Sequence, residues 1–264
     1  MLHPTLARLD DLAAHLARDP DAVALLGLGS AGVEHDRFDD HSDLDFFVVV
    51  ATERAKRRML DDVGWLAAFG DDPVWSFVNS PDGRKALYAD GLFLEYAVFA
   101  AAELPGIRFA GARTVWSRPS AGQDLVDLDD HLGPPGPGPL DTVAFHRDEA
   151  LSNLYVGLHR ELRGERLSAT RFVQVHAVDH CLALLRLAPD GAWRQQDPFE
   201  PTRRVERSLP IGAFPLAAAV AGYDRNADAA QAVLDWLRGH DPAPAAVAAV
   251  TDLLDRAREA SPQG

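Results

Sequence analysis

The chain has a single cysteine, Cys181, in 264 residues, which excludes an intramolecular disulfide. Cys181 sits in an apolar run of helical character, where cysteine behaves as a small hydrophobe, and a reducing cytoplasm suits it. No apolar run reaches the roughly 18 residues of a membrane-spanning helix, and the N-terminus lacks the basic start and continuous apolar core of a signal peptide. Neither membrane insertion nor export is expected, and the expected location is cytoplasmic. Basic residues are also scarce, with 26 Lys and Arg against 40 Asp and Glu, a net charge of −14. Sequence-independent grip on nucleic-acid phosphates is therefore not expected. An acidic surface favours solubility and attracts cationic small molecules.

Hydrophobic residues make up 47% of the chain, enough at this length for two cores. Residues 5–18 place leucines at helical spacing before Pro20, and residues 53–69 read as a second helix ending at Gly70. Strands are expected at 23–27, 44–50, 74–78, 85–88 and 91–99, with a turn at Ser80-Pro81-Asp82-Gly83. Residues 132–140, LGPPGPGPL, can continue neither helix nor central strand and mark a domain boundary. Beyond them the pattern is helical. Asp141 is the expected N-cap of a helix reaching Arg163, Ser168 that of a second running to Leu187, and alanine-rich segments near 210–223, 227–239 and 243–260 complete about five helices. The last of these offers a face for a homodimer.

The most informative stretch is residues 27–50, GLGSAGVEHDRFDDHSDLDFFVVV. One apolar strand ends in Gly29-Ser30, an acidic loop follows, and a second strand opens on Asp43-Leu44-Asp45. Alternate residues of a strand share a face, so the two carboxylates point the same way, ~6–7 Å apart along the backbone. Paired carboxylates suit Mg²⁺, which is commonly held by one or two carboxylates together with substrate phosphates. A Gly-Ser turn lets a phosphate approach backbone N–H groups and a hydroxyl. On the strand at 91–99, Glu95 stands on a face with Phe93, Ala97 and Phe99, where an unpaired carboxylate is costly. A metal ion, a hydroxyl to be deprotonated, or a salt bridge at a solvent-facing edge would each account for it.

Gly29-Ser30, twelve intervening residues, Asp43-Leu44-Asp45 and then FFVVV together resemble the hallmark of the polymerase β-type nucleotidyltransferase superfamily. The layout is similar to that of the two-domain antibiotic nucleotidyltransferases acting on lincosamides and aminoglycosides. The resemblance implies an α+β protein: a nucleotidyltransferase domain over residues 1–134, built on a mixed β-sheet with flanking helices, and an α-helical bundle over residues 139–264. It implies transfer of a nucleoside monophosphate from a nucleoside triphosphate to a hydroxyl of a small molecule, with release of pyrophosphate. Asp43 and Asp45 would hold Mg²⁺, and Glu95 would complete a second metal site or act as base. Gly29, Ser30 and Ser42 would bind the nucleotide. Many members carry a basic residue and a glycine three to four positions after the Gly-Ser, whereas Val33-Glu34 stand here and the nearest cation in sequence is Arg37. A protein acceptor, as for the nucleotidyltransferase antitoxins, and a nucleotide-binding module without turnover are the alternatives.

Other patterns carry less. His146-Arg147-Asp148, followed by Asn153, matches the catalytic-loop letters of protein kinases, but it falls on an amphipathic helix without the companion motifs. Glu149 on that helix is an auxiliary-base candidate, set against the simpler reading of a solvated helix charge. His176 and His180 have zinc-compatible spacing but no third ligand in the sequence pattern, so packed or exposed histidines are expected. The acidic run 36–45 lacks the glycine and glutamate of a calcium loop. Arg203-Arg204 would serve a phosphate or an acidic helix end.

Overall fold

The protein was analysed as a computed structural model that describes residues 3–119, 133, 136–189, 193, 197 and 199–260. The chain divides into two compact units, Met1–Pro134 and Pro135–Gly264.

The first unit is a mixed six-stranded sheet with helices on one face. Its strands are β1 (Ala22–Leu28), β2 (Leu44–Val50), β3 (Trp75–Ser80), β4 (Gly83–Leu87), β5 (Phe93–Ala100) and β6 (Arg113–Ser117), in the order β3-β4-β5-β2-β1-β6. Only β2 and β5 run parallel, and the other neighbours are antiparallel. The alternation along β2 sets the two faces. Leu44, Phe46, Val48 and Val50 bury against helix α1 (Pro4–Leu16), helix α2 (Glu53–Asp61) and the turn Gly64–Phe69. Phe46 stacks on Tyr96 with ring centroids 5.4 Å apart. On the other face, Phe47 meets Phe99 and Phe109 edge-on and closes a smaller cluster.

Local chemistry explains the helix ends. α1 has proline in its first turn, and the His3 ring accepts from the Thr5 N–H. The Thr52 hydroxyl caps α2 by accepting from the Ala55 N–H. The helix expected to reach residue 69 stops at Asp62, which is extended and whose carboxylate accepts from the Gly64 N–H at 2.9 Å. An Asx turn ahead of a weak helix former competes successfully with the helix, and residues 64–69 wind as a 3₁₀ segment instead. Strand β6 had no counterpart in the sequence reading. It pairs with β1, more than 80 residues earlier, and such pairing leaves little local pattern.

α2 is tied to the sheet by Lys56. Its ammonium is almost buried and bonds Asp82 at 2.6 Å and Glu103 at 2.7 Å, and Glu103 also accepts from the Ala100 N–H. Burial alone would lower the Lys56 pKa, but hydrogen bonds and charge from Asp82 and Glu103 carry it above the usual value.

The second unit is helical. α3 (Val143–Leu162) packs on α4 (Arg166–Thr170), α5 (Ala177–Arg186), α8 (Asn226–Leu237) and α9 (Pro244–Ala260); α6 (Val205–Ser208) and α7 (Leu216–Ala219) are single turns. A π-helical turn, Arg171–His176, joins α4 to α5, so Ser168 lies inside a helical run instead of capping one. The α3 cap is the Thr142 hydroxyl, not Asp141. Asp141 instead accepts from Arg186 and from His146 Nε2 at 2.8 Å, and His146 Nδ1 lies 2.9 Å from His180 Nδ1. His180 thus turns to His146 on α3 and not to His176. Among the described residues no helix is long and apolar enough to cross a membrane.

Two predictions follow from these networks. Replacing Lys56 by methionine leaves Asp82 and Glu103 without their cation, and the expected loss is about 2–3 kcal/mol in urea unfolding, moderated by the partial exposure of both carboxylates. In the helical unit, burial first and His146 second push His180 below the ordinary histidine range, against the pull of Glu149. The unfolded chain therefore takes up a proton near pH ~6.5 that the folded unit resists, and stability falls as pH drops below that point. Asp141, held low chiefly by the Arg186 hydrogen bond, contributes above the ordinary carboxylate range and fails only at more acid pH. The thermal midpoint should fall between about pH 7 and 5.5, with a shallower slope in His180→Gln.

Candidate active site

The site is built where β1 ends and β2 begins. Leu28 of β1 opposes Asp45 of β2, and the chain then turns through a single 3₁₀ turn, Gly29–Ala31. Gly29 has φ of +51°, a left-handed conformation that side chains oppose. Space forbids a side chain as firmly as the backbone angle does, because a Cβ there would lie 2.6 Å from Asp45 Oδ2. The Asp45 carboxylate is therefore laid against the backbone of the turn. Gly32 is equally constrained, since its Cβ would come within 2.1 Å of the Gly111 carbonyl oxygen. The Val33 N–H donates to that same carbonyl, and Arg113 of β6 donates to the Ala31 carbonyl at 3.2 Å.

Pairing of strands aligns the third carboxylate. Asp45 is the register partner of Glu95 across the parallel β2/β5 pair, so the two side chains stand on one face, beside Asp43. Glu95 is not the lone carboxylate among apolar neighbours that its sequence context suggested. It is 42% exposed, its Oε2 lies 2.8 Å from Lys85 Nζ, and its Oε1 accepts from Asn79 Nδ2 at 2.9 Å. Glu95 thus carries a salt bridge and an amide hydrogen bond at a partly exposed position. Lys85 is held above the ordinary lysine range first by the hydrogen bond to Glu95, and further by the charges of Glu95, Asp43 and Asp45, with burial opposing. Lys85 and Asn79 were missed because only the β3/β4/β5 register brings them to this face; a basic residue in a short hairpin strand carries no signal of its own.

The other expected contacts are arranged differently. Ser30 is only 6% exposed, and its hydroxyl donates to the Asp43 carbonyl at 3.5 Å, so it ties the turn to β2. The Ser42 hydroxyl donates to the Asp39 carboxylate and accepts from the Asp39 N–H, closing the loop before β2. Arg37 pairs with Glu34 within the loop. Glu149 belongs to the helical unit, where its oxygen lies 3.4 Å from the Asn153 amide. Arg203 and Arg204 both approach the Asp197 carboxylate, which lies at no helix end among the described residues.

Asp45 lies at the start of β2 and Asp43 immediately precedes the strand, next to the partly exposed Gly29; such a pair suits a Mg²⁺ ion, because two carboxylates suffice when phosphates complete the sphere. Among the described residues no group of three or more His, Cys, Asp or Glu is placed to hold a metal. Glu95, the third carboxylate of the row, is paired with Lys85 in this arrangement.

No family model and no curated protein matches the sequence. Among solved structures, the chain is similar to an aminoglycoside 6-adenyltransferase from Bacillus subtilis, at 13% identity and TM-score 0.31 over 96% of this chain and 92% of that one. It is similar to a nucleotidyltransferase-like protein from Exiguobacterium sibiricum, at 12% identity and TM-score 0.36, covering 98% and 81% of the two chains. A spectinomycin adenyltransferase from Enterococcus faecialis, solved with ATP and spectinomycin, matches at 12% identity and TM-score 0.30 over 95% and 98%.

The contact between Gly29 and Asp45 yields a test. Gly29→Ala forces a Cβ into the Asp45 carboxylate at an unfavourable φ, and the expected cost is about 1–3 kcal/mol of stability by urea unfolding. Unchanged stability would show that the turn relaxes freely and that Asp45 is not fixed by it.

Proposed function

We propose that the first unit is the catalytic domain of a nucleotidyltransferase that moves a nucleoside monophosphate from a nucleoside triphosphate to a hydroxyl of a small molecule. The observation that carries this reading is the row formed by the Gly29 turn, Asp45 and Glu95 on adjacent strands, with Asp43 just before β2 and near enough for its charge to act on Lys85. Asp43 and Asp45 would hold Mg²⁺, which when bound neutralises phosphate charge and polarises the transferring phosphoryl group. A triphosphate tail would approach the turn at Gly29, its partly exposed residue, while the buried Ser30 hydroxyl acts by fixing that turn.

The reaction is an in-line displacement. The acceptor oxygen bonds to the α-phosphorus, the bond from that phosphorus to the bridging oxygen breaks, and pyrophosphate departs with the electron pair. The acceptor proton passes to the Glu95 carboxylate. Lys85 and Asn79 hold that carboxylate in place, so positioning and charge neutralisation supply most of the rate. Lincosamides and aminoglycosides are the acceptor classes to screen, given the acidic balance of the chain.

The test is pyrophosphate release with Mg²⁺ and ATP, GTP, CTP or UTP against a panel of aminoglycosides and lincosamides. Asp43→Asn and Asp45→Asn should each lower turnover by at least ~100-fold, the scale of losing a principal electrostatic stabiliser. Near-normal turnover in either variant removes the assignment. Thermal stabilisation by nucleotide without release under any acceptor would favour a binding module instead.

A further inference from the structure

The edge strand β3 exposes large aromatic rings. Trp75 is 52% exposed and Phe77 38%, and their ring centroids lie 4.9 Å apart at an interplanar angle of 31°. Isolated exposed apolar side chains need no explanation, but two in contact make a patch. The strand register decides which way this patch faces. Phe77 pairs with Lys85, Lys85 with Glu95, and Glu95 with Asp45. Directly opposed residues point to the same side of a sheet, so the aromatic pair and the carboxylates share one face. Three strand spacings put the backbone of Phe77 ~14 Å from that of Asp45. A multi-ring molecule spans that distance.

The direction of the displacement fixes what lies there. On the proposed transferase reading the leaving pyrophosphate lies at Gly29, on the β1 side of Asp45, and an in-line reaction brings the entering hydroxyl from the opposite side. That side is Glu95 of β5, and the rest of the acceptor must then extend over β4 toward β3. Charge fixes the chemical class. Among the described strand residues of this face, Asp45 and Glu95, with Asp43 just before β2, stand against one cation, Lys85, and a tryptophan face attracts cations more strongly than the other aromatic rings do.

We propose that Trp75 and Phe77 form the acceptor subsite, a stacking platform for a cationic, hydroxylated ring whose reacting hydroxyl is presented to Glu95. Asn79, on the same strand at an irregularity in the β3/β4 pairing, links the platform to Glu95 through its side-chain amide. The subsite rests on the transferase reading for its orientation, and the following experiment separates the two.

The full-length protein is labelled with 5-fluorotryptophan, which gives one ¹⁹F line for each of Trp65, Trp75, Trp116, Trp193 and Trp236. Trp75→Phe assigns the Trp75 line. Kanamycin, spectinomycin and lincomycin are titrated in the presence of Mg²⁺ and, in separate series, ATP, GTP, CTP or UTP, and pyrophosphate is measured in the same samples. The expected result is a saturable shift of the Trp75 line with at least one compound while Trp193 and Trp236 stay in place, and ~10-fold weaker binding in Trp75→Ala with recovery in Trp75→Phe. A merely structural role would weaken acceptor and ATP binding together. Silence of the Trp75 line toward every compound at millimolar concentration overturns the platform. Pyrophosphate release with a silent Trp75 leaves the transfer reading intact. A shifting Trp75 without release with any nucleotide sinks the transfer reading and keeps the subsite. If ATP alone moves the line and the ring compounds do not, the rings stack a nucleobase and the acceptor assignment falls.

Discussion

The antiparallel pairing of β1 with β2, locked where the Asp45 carboxylate lies against the backbone of Gly29, is the constraint on which the first unit depends. The pairing decides that Leu28 and Asp45 face each other, and through the parallel neighbour it places Glu95 beside them. A shift of one residue would send Asp43, Asp45 and their whole face into the leucine-rich layer beneath the sheet. The burial of Leu44, Phe46, Val48 and Val50 forbids that shift, so the hydrophobic core fixes the polar row indirectly. Gly29 then converts register into a site, because only a residue without a side chain brings main chain and carboxylate so close.

Elements whose signal is local were legible in the sequence: the period of α1, the apolar run of β2, the alternation of β5, and the spacing of Gly29-Ser30 from Asp43-Leu44-Asp45. Elements defined by distant partners were not. β6 is a strand only because β1 has a free edge to offer, and Lys85 is a site residue only because β4 lies beside β5. Side-chain competition accounts for other differences. Asp141 has the right character for a helix cap, but Arg186 and His146 offer it a charged partner and a ring N–H, and Thr142 next to it serves as cap. Ser30 has the right character for a phosphate ligand, yet its burial turns the hydroxyl into a tie between the turn and β2.

The same logic explains the kinase-like letters at His146-Arg147-Asp148 and Asn153. A motif defines chemistry only in the backbone that presents it. Here His146 is occupied between Asp141 and His180, Arg147 pairs with the adjacent Asp148, and the Asn153 amide donates back to the Glu149 carbonyl one helical turn earlier. Each polar group is spent on helix packing or helix surface. The spacing of His176 and His180 fails as a metal site for a related reason, since His180 finds its partner on α3.

Three carboxylates on neighbouring strands repel one another, and a sheet that gathers them needs a compensating charge. Lys85 supplies it from within the sheet, one strand beyond Glu95, where it interacts with all three and binds one. Its position also divides the face. Toward β1 lie the two aspartates and Gly29, suited to a cation and phosphates; toward β3 lie an amide and two aromatic rings, suited to an organic ring. A single lysine at the register position opposite Glu95 thus makes the acidic row tolerable and marks the line between its inorganic and organic halves. The pairing of β4 with β5 belongs to the site as much as the pairing of β1 with β2.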